Sequence, residues 1–406
     1  MNYKIKKKKA ISPKKSSAIT DGKKKPEKIK SQQKLINNVI MKKFLKVYTK
    51  YCADTKSAVC PWIKMATHSC IKENSLLKKI IIEQSLTQPR VLFEPLIAAL
   101  RSVHYHYLNH LYIWNYPMSY ENTCTLTFFM NKYYEGLKTI YLIDNILTSE
   151  SLQRFIKYLP VCTSLTEICL DYNDMSYTDC KYLSSCLSDN ITLTSLSLSY
   201  CNLPKETGIY LGKILASTAV SSLYVNGNNL QGDGIMELVR TCAKQAEYDF
   251  AEKMSLSKEV TVKPTTPKAS PAKKDKQKKK KAKKKKPTPL PKAGPWVVKL
   301  HAADNGFQLQ NPGGGANVID CMQHIRKLIV FSEYLRELNL YGNHIGNLGS
   351  QMLLESLQAR QKAKLPPLKM RSSYRIRLPN IYMPLLKLST GNPNLRKRKK
   401  LKSKKK

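Results

Sequence analysis

His104, His106 and His110 form the pattern H-x-H-x-x-x-H. On a strand the first two would share a face, which is the arrangement a metal site would use. No carboxylate or cysteine nearby completes a set of four ligands, so the group reads as surface or concave-face histidines. Cys162, Cys169, Cys180, Cys186 and Cys201 cluster in sequence. Small buried residues account for them better than a metal or a nucleophile does. Gly208-Ile209-Tyr210-Leu211-Gly212-Lys213 looks like a phosphate loop, but it is one residue short and Ile214 replaces the hydroxyl that would hold magnesium. It reads as a helix face. Asn311-Pro312-Gly313-Gly314-Gly315 reads as an enlarged strand-to-helix loop rather than an anion cradle. No Ser/His/Asp order or paired carboxylate stands out. The expectation is a chain without enzymatic activity, metal or cofactor.

Charge supplies a second chemistry. The chain has 406 residues, with 70 Lys+Arg against 28 Asp+Glu and a formal net charge of +42. The excess sits in three places. Residues 1–50 hold 17 basic and 2 acidic side chains, residues 257–293 hold 15 and 2, and residues 396–406 hold 9 and none. The remaining body is close to neutral. The densest run contains Lys278, Lys279, Lys280, Lys281, Lys283, Lys284, Lys285 and Lys286. Polylysine without interleaved aromatics binds polyanions as diffuse charge, without sequence readout. Acidic tubulin tails, nucleic acid and anionic lipid all fit, and a solubilising linker or nuclear-import signal fits as well. Ser12, Thr266 and Ser270 each precede a proline in a lysine-rich context. They read as proline-directed phosphorylation sites, where phosphate would subtract positive charge and weaken polyanion binding.

The first 30 residues lack an apolar core, so no signal peptide is expected. No apolar run reaches 18 residues, so no transmembrane helix is expected either. Eleven cysteines, an odd number without close pairs, suit a reducing compartment: cytoplasm, cilium or nucleus.

The elements that must carry these groups come from a repeat. Leu165, Ile168, Leu170, Asn173 and Met175 follow L-x-x-L-x-L-x-x-N-x-L. The pattern recurs from Leu137, Leu193 and Val220, and again after a gap from Val297 and Leu335; Leu108 starts a copy without the Asn, and Leu77, Ile80 and Ile82 a fainter one. The L-x-L step has period two, so both leucines of a short strand face one side. The second half of each unit has helical spacing, as in Leu152, Phe155, Ile156 and Leu159. A strand-plus-helix unit cannot bury its apolar face alone and must stack on its neighbours. The predicted fold is therefore an α/β solenoid. Asn145, Asn173, Cys201, Asn228, Asn305 and Asn343 occupy the turn after each strand, where a buried side chain must bond backbone groups that have no ladder partner.

A period of 27–29 residues with a full helix resembles the ribonuclease-inhibitor class of leucine-rich repeats. The late interruption by a Lys-rich insertion resembles the family of leucine-rich repeat-containing protein 71. So do Leu159-Pro160-Val161-Cys162 before the Leu165 strand, and Leu111-Tyr112-Ile113-Trp114. That resemblance implies ciliated or flagellated cells and no enzymatic activity.

Six segments are expected: a disordered basic tail over 1–33, a helical cap over 34–104, repeats over 105–256, a disordered Lys-rich insertion over 257–293, resumed repeats over 294–358, and an extended basic tail over 359–406. The non-leucine strand positions should line the concave face. They include His110, Tyr112, Trp114, Tyr141, Ile143, Glu167, Asp171, Tyr224, Asn226 and Tyr341. Aromatic side chains at such density suit a protein-binding surface. The combined expectation is a monomeric scaffold that docks a protein partner on its concave face and an acidic polymer through its lysines, in the cytoplasm or cilium. A nuclear protein contacting nucleic acid, and a regulator of ribonuclease-inhibitor type, are the alternatives.

Overall fold

The computed structural model describes residues 24–84, 89–133, 136–259, 293–306, 314–373 and 379–389. Among them, nine strands form one parallel sheet in strict sequence order: β1 (Lys79–Glu83), β2 (His110–Trp114), β3 (Thr139–Ile143), β4 (Glu167–Cys169), β5 (Ser195–Ser197), β6 (Ser222–Tyr224), β7 (Lys299–His301), β8 (Glu337–Leu340) and β9 (Lys369–Ser372). The helices are α1 (Lys24–Asp54), α2 (Pro61–Glu73), α3 (Glu94–Ser102), α4 (Tyr120–Tyr133), α5 (Ser149–Lys157), α6 (Tyr177–Cys186), α7 (Gly208–Ser217), α8 (Gln231–Glu259), α9 (Gly314–Phe331), α10 (Gly346–Lys362) and α11 (Pro379–Ser389). From β1 onward each strand is followed by a helix, and consecutive strands are neighbours. The described chain is an α/β solenoid of stacked strand-plus-helix repeats.

The register repeats the sequence period. Leu111, Ile140, Ile168, Leu196, Leu223, Leu300 and Leu338 stand side by side across the sheet. All are buried in one continuous core with the inner faces of the helices, such as Leu152, Phe155 and Ile156 of α5. β6 pairs directly with β7 although 260–292 lies between them, so the interruption costs the sheet no register. That insertion sits in a connection after a helix, where added length is tolerated because closure entropy grows slowly.

Every clear repeat turns the same way after its strand. Asn115, Asp144, Tyr172, Tyr200, Gly227, Asp304 and Gly342 all take positive φ. At 227 glycine also leaves room for the Tyr200 ring, which a Cβ there would displace. The next position is the buried turn residue. Asn173 donates to the Leu142 and Leu170 carbonyls at 2.8 and 3.0 Å, and its Oδ1 accepts from the Asn145 backbone at 3.0 Å. Asn228 donates to Leu198 and Val225 and accepts from the Cys201 backbone at 2.9 Å. Asn305 donates to Val225, Asn343 to Ala302 and Asn145 to the Tyr116 carbonyl. Cys201 fits the same slot with a thiol 3.3 Å from the Leu170 carbonyl. Each such residue thus bonds the backbone of the unit before it, which ties neighbouring repeats together.

The segment boundaries differ from the expectation in four places. The sheet begins at β1, inside the 34–104 cap, because Ile80 and Ile82 bury beside Leu111 and Ile113 although no Asn follows them. Among the described residues, α1 and α2 lie ahead of the sheet. α1 starts at Lys24, so part of the 1–33 tail is helical. α8 runs to Glu259, three residues into the 257–293 segment. Most consequentially, 359–406 is not simply an extended tail. α10 continues to Lys362, β9 adds a ninth strand through Met370, and α11 buries Ile381 and Leu385. Residues 1–23, 260–292 and 390–406, most of the basic tails and insertion, lie outside the described residues.

Arg360 locks this C-terminal end. Its guanidinium is buried and donates to the Ile329, Ser332 and Leu335 carbonyls at 2.7, 2.8 and 2.9 Å, and to the Pro366 carbonyl at 2.8 Å. Burial lowers its pKa to about 10, so it stays charged at neutral pH. Gly208, the start of the would-be phosphate loop, opens α7 where it approaches α8 so closely that a Cβ would strike the Gly234 backbone. The glycine serves helix packing.

Candidate docking site on the open sheet face

In β2 and β3 the alternate residues point away from the helices. β2 shows the pattern plainly, with Leu111 and Ile113 buried and His110, Tyr112 and Trp114 half-buried on the opposite side. Parallel pairing sets His110 beside Thr139, Tyr112 beside Tyr141, and Trp114 beside Ile143. Strand neighbours lie only about 4.8 Å apart, so flat rings at matching positions stack. Tyr112 and Tyr141 have ring centroids 4.4 Å apart and nearly parallel planes. Trp114, two residues along the same strand, lies beside Tyr112 with a nearly parallel plane at 5.9 Å, and His110 meets Tyr112 edge-on at 6.4 Å. Lys79 of β1 holds its ammonium 4.3 Å from the Tyr112 ring centroid, a cation–π contact. The Tyr141 hydroxyl donates to Glu167 Oε1 at 2.6 Å. Burial, followed by that carboxylate, drives the Tyr141 pKa upward, so the phenol remains a donor. Burial and then Lys79 push His110 below the usual imidazole value, which keeps it neutral. His110 Nδ1 and Trp114 Nε1 are buried without a hydrogen-bond partner among the described residues.

The middle of the face is small and polar. Asp171 accepts from Ser197 Oγ at 2.6 Å and from the Ser199 backbone at 2.8 Å. Asn226 accepts from the Ala303 backbone at 3.0 Å and lies 3.4 Å from Ser199 Oγ. Both carry out local bonding as well as facing the open side.

The C-terminal part is a polar relay. Tyr224 meets His301 edge-on at 4.7 Å. His301 Nε2 lies 3.3 Å from Glu337 Oε2, and Lys369 Nζ lies 3.2 Å from Glu337 Oε1. Burial lowers the His301 pKa despite the carboxylate beside it, so this contact is a hydrogen bond of a neutral ring at pH 7. Burial alone would raise Glu337, but the bonds from Lys369 and His301 bring it below the usual carboxylate value. Tyr341 follows β8 and is 49% exposed.

The structure therefore gathers Tyr112, Trp114, Tyr141, His110, Ile143 and Glu167 into one patch, and places Asp171, Asn226, Tyr224 and Tyr341 elsewhere along the same face. Lys278–Lys281, Lys283–Lys286, Ser12, Thr266 and Ser270 lie outside the described residues. Sequence reasoning missed Lys79 and Lys369, which flank the face on strands without the full repeat pattern. It also missed Tyr172 and Tyr200, a stacked and exposed pair at 4.7 Å on the rim. The recurrence of Tyr before the turn residue, 28 positions apart, was the available signal.

His104 and His106 sit in the connection after α3 and only His110 lies on a strand. Among the described residues no three of His, Cys, Asp or Glu are placed to hold a metal ion. The cysteines are free thiols, and burial pushes Cys169, Cys180 and Cys242 up to about 12, far from thiolate formation at neutral pH. No described helix is long and apolar enough to cross a membrane.

Comparison with known proteins agrees with the repeat. The leucine rich repeat family model matches residues 189–206 and 331–354. Among solved structures, the chain is similar to the leucine-rich repeat-containing protein LegL7 from Legionella pneumophila. The two are 15% identical, the match covers 77% of this chain and 90% of that one, and the TM-score is 0.40. A likeness of that degree carries no argument about function. No curated protein matches the sequence.

Proposed function

We propose that this protein is a non-enzymatic interaction scaffold whose open sheet face docks a protein partner at Tyr112, Trp114 and Tyr141. The observation that carries this reading is the stack itself: three large rings on adjacent strands, centred on Tyr112 with ring separations of 4.4 and 5.9 Å. Rigid aromatic side chains supply large contact area at low entropic cost, and Trp and Tyr dominate the energetics of interfaces. The flanking Lys79 and Glu167 give the patch a basic edge and an acidic edge, which orient a partner without enclosing it.

The lysine-rich segments form a separate system that contacts an acidic polymer. The repeat pattern, interrupted late by such a segment, supports a ribonuclease-inhibitor-like scaffold in the cilium with acidic tubulin tails as that polymer. Protein docking is tested with the full chain carrying Tyr112→Ala/Tyr141→Ala as bait: partners recovered by the wild type should be lost while the unfolding midpoint falls by only a few degrees. An unaltered partner set removes the patch from the proposal. The polymer reading is tested by changing Lys278–Lys281 and Lys283–Lys286 to Gln, which should weaken microtubule cosedimentation and flatten its salt dependence. Unchanged salt-dependent binding would contradict it.

A further inference from the structure

α1 carries an outward face that the solenoid does not use. Its inner side holds Met41, Phe44 and Tyr48, all fully buried. Asn38 Nδ2 donates to the Ile71 carbonyl at 2.8 Å and to Asn74 Oδ1 at 3.0 Å, and Asn37 Nδ2 donates to the Asn74 carbonyl at 3.1 Å. These bonds tie α1 to the C-terminal end of α2 and fix its rotation. At 100° per residue, Leu35 and Val39 then fall opposite the buried side, with Ile36 beside them. They are 67%, 65% and 51% exposed, respectively. One and two turns further along the same outward side come Lys42, Lys43 and Lys46, all exposed.

Three adjacent branched aliphatic side chains in water, followed at once by lysines, make a short apolar wedge with a basic flank. We propose that this face of α1 lies on an anionic phospholipid leaflet, with Leu35, Ile36 and Val39 entering the interface and Lys42, Lys43 and Lys46 meeting the headgroups. A membrane surface is the occupant that uses both halves. Nucleic acid would use the lysines and leave the aliphatic residues in water. A groove that wraps a helix is blocked from Asn37 onward, because the opposite face is already packed; one free face suits a flat surface. A second copy of this chain would bring together two segments that each hold 17 basic and 2 acidic residues within 1–50, and like charges oppose that contact. The same excess charge draws the helix to an anionic bilayer, since 12 lysines precede Lys34 in sequence. Lysine stems also lie along the interface while their ammonium groups remain in water. This contact is independent of the aromatic patch and would hold whether or not that patch docks a protein.

The test is cosedimentation of the full chain, at physiological salt, with phosphatidylcholine vesicles and with vesicles that also contain one-fifth phosphatidylserine. The wild type should pellet with the anionic vesicles and remain in solution with the neutral ones. Leu35→Ser/Ile36→Ser/Val39→Ser should keep its circular dichroism and unfolding midpoint, because the altered side chains are exposed, and should bind roughly tenfold or more weakly. Lys42→Gln/Lys43→Gln/Lys46→Gln provides the second arm and should reduce binding and its salt sensitivity. Equal vesicle binding by the aliphatic variant would overturn the proposal, since diffuse lysine charge would then account for all of it. Failure of the wild type to pellet with anionic vesicles would overturn it outright. So would vesicle binding that survives in the aliphatic variant while an acidic protein or RNA ligand is lost.

Discussion

Each repeat holds two lines of polar or aromatic side chains only a few residues apart, and they live under opposite rules. The turn line, Asn145, Asn173, Cys201, Asn228, Asn305 and Asn343, is buried, and its bonds run to the backbone of the preceding unit. The open-face line, from Tyr112 and Tyr141 to His301 and Glu337, is half-exposed and bonds mainly to itself. Burial removes water as an alternative partner, so a turn residue is fixed by the fold. On the open face water remains available, and side-chain identity is left for recognition. Repetition of residue type along the first line and variation along the second follow from that difference.

The contrast is broken most severely at the turn. Asn173→Ala leaves the Leu142 and Leu170 carbonyls and the Asn145 amide without their partner, and should cost about 3 kcal/mol in denaturant unfolding. Cys201→Ala removes only weak thiol bonds and should cost about 1 kcal/mol. Equal effects would mean that the slot needs volume rather than bonding.

Asp179 supplies an intermediate case. It is buried at the start of α6, where it accepts from the Ser176 backbone and from Ser149 and Gln153 of the preceding helix at 3.0, 2.5 and 3.0 Å. Burial opposes its charge, but these bonds outweigh it and hold the carboxyl below its usual value. A depressed folded pKa means the stabilisation is complete above the unfolded carboxylate value near 4 and is lost as pH falls through the lower folded value. Asp179→Asn should cost about 1–2 kcal/mol at neutral pH and should flatten the stability profile below pH 5. A profile parallel to the wild type would place the pH sensitivity elsewhere.

The smallest effect belongs to the open face. Glu337 and Lys369 keep side-chain exposures of 26% and 57%, so Glu337→Gln should change stability by less than about 1 kcal/mol. A larger loss would show that the polar relay holds the C-terminal repeats together.

Legibility in the sequence followed the same division. Wherever both halves of L-x-L and a turn Asn or Cys coincide, as at Leu165 or Leu335, strand, register and open-face positions could be read directly. β9 escaped because Lys369-Met370-Arg371-Ser372 offers one apolar residue and lies in a basic stretch; the neighbouring strand, not its own pattern, makes it a strand. β1 gave a fainter signal because Ile80-Ile81-Ile82 lacks alternation and no Asn follows. Lys79 and Lys369, the cations at the two ends of the face, were missed for that reason. Tyr172 and Tyr200 went unread because their signal, a tyrosine recurring just before the turn residue, falls outside the strand positions that define the open face; the positive φ there is imposed by the repeat.

The central claim, that the aromatic stack is a surface for recognition and not a part of the core, is tested most directly by one paired measurement on Tyr112→Ala/Tyr141→Ala: unfolding midpoint and recovery of bound proteins. The account predicts a stability loss of no more than about 2 kcal/mol, together with a loss of partner binding worth about 2 kcal/mol or more. A stability loss of the 3–5 kcal/mol order seen when core aromatic residues are truncated, with partners still recovered, would contradict it.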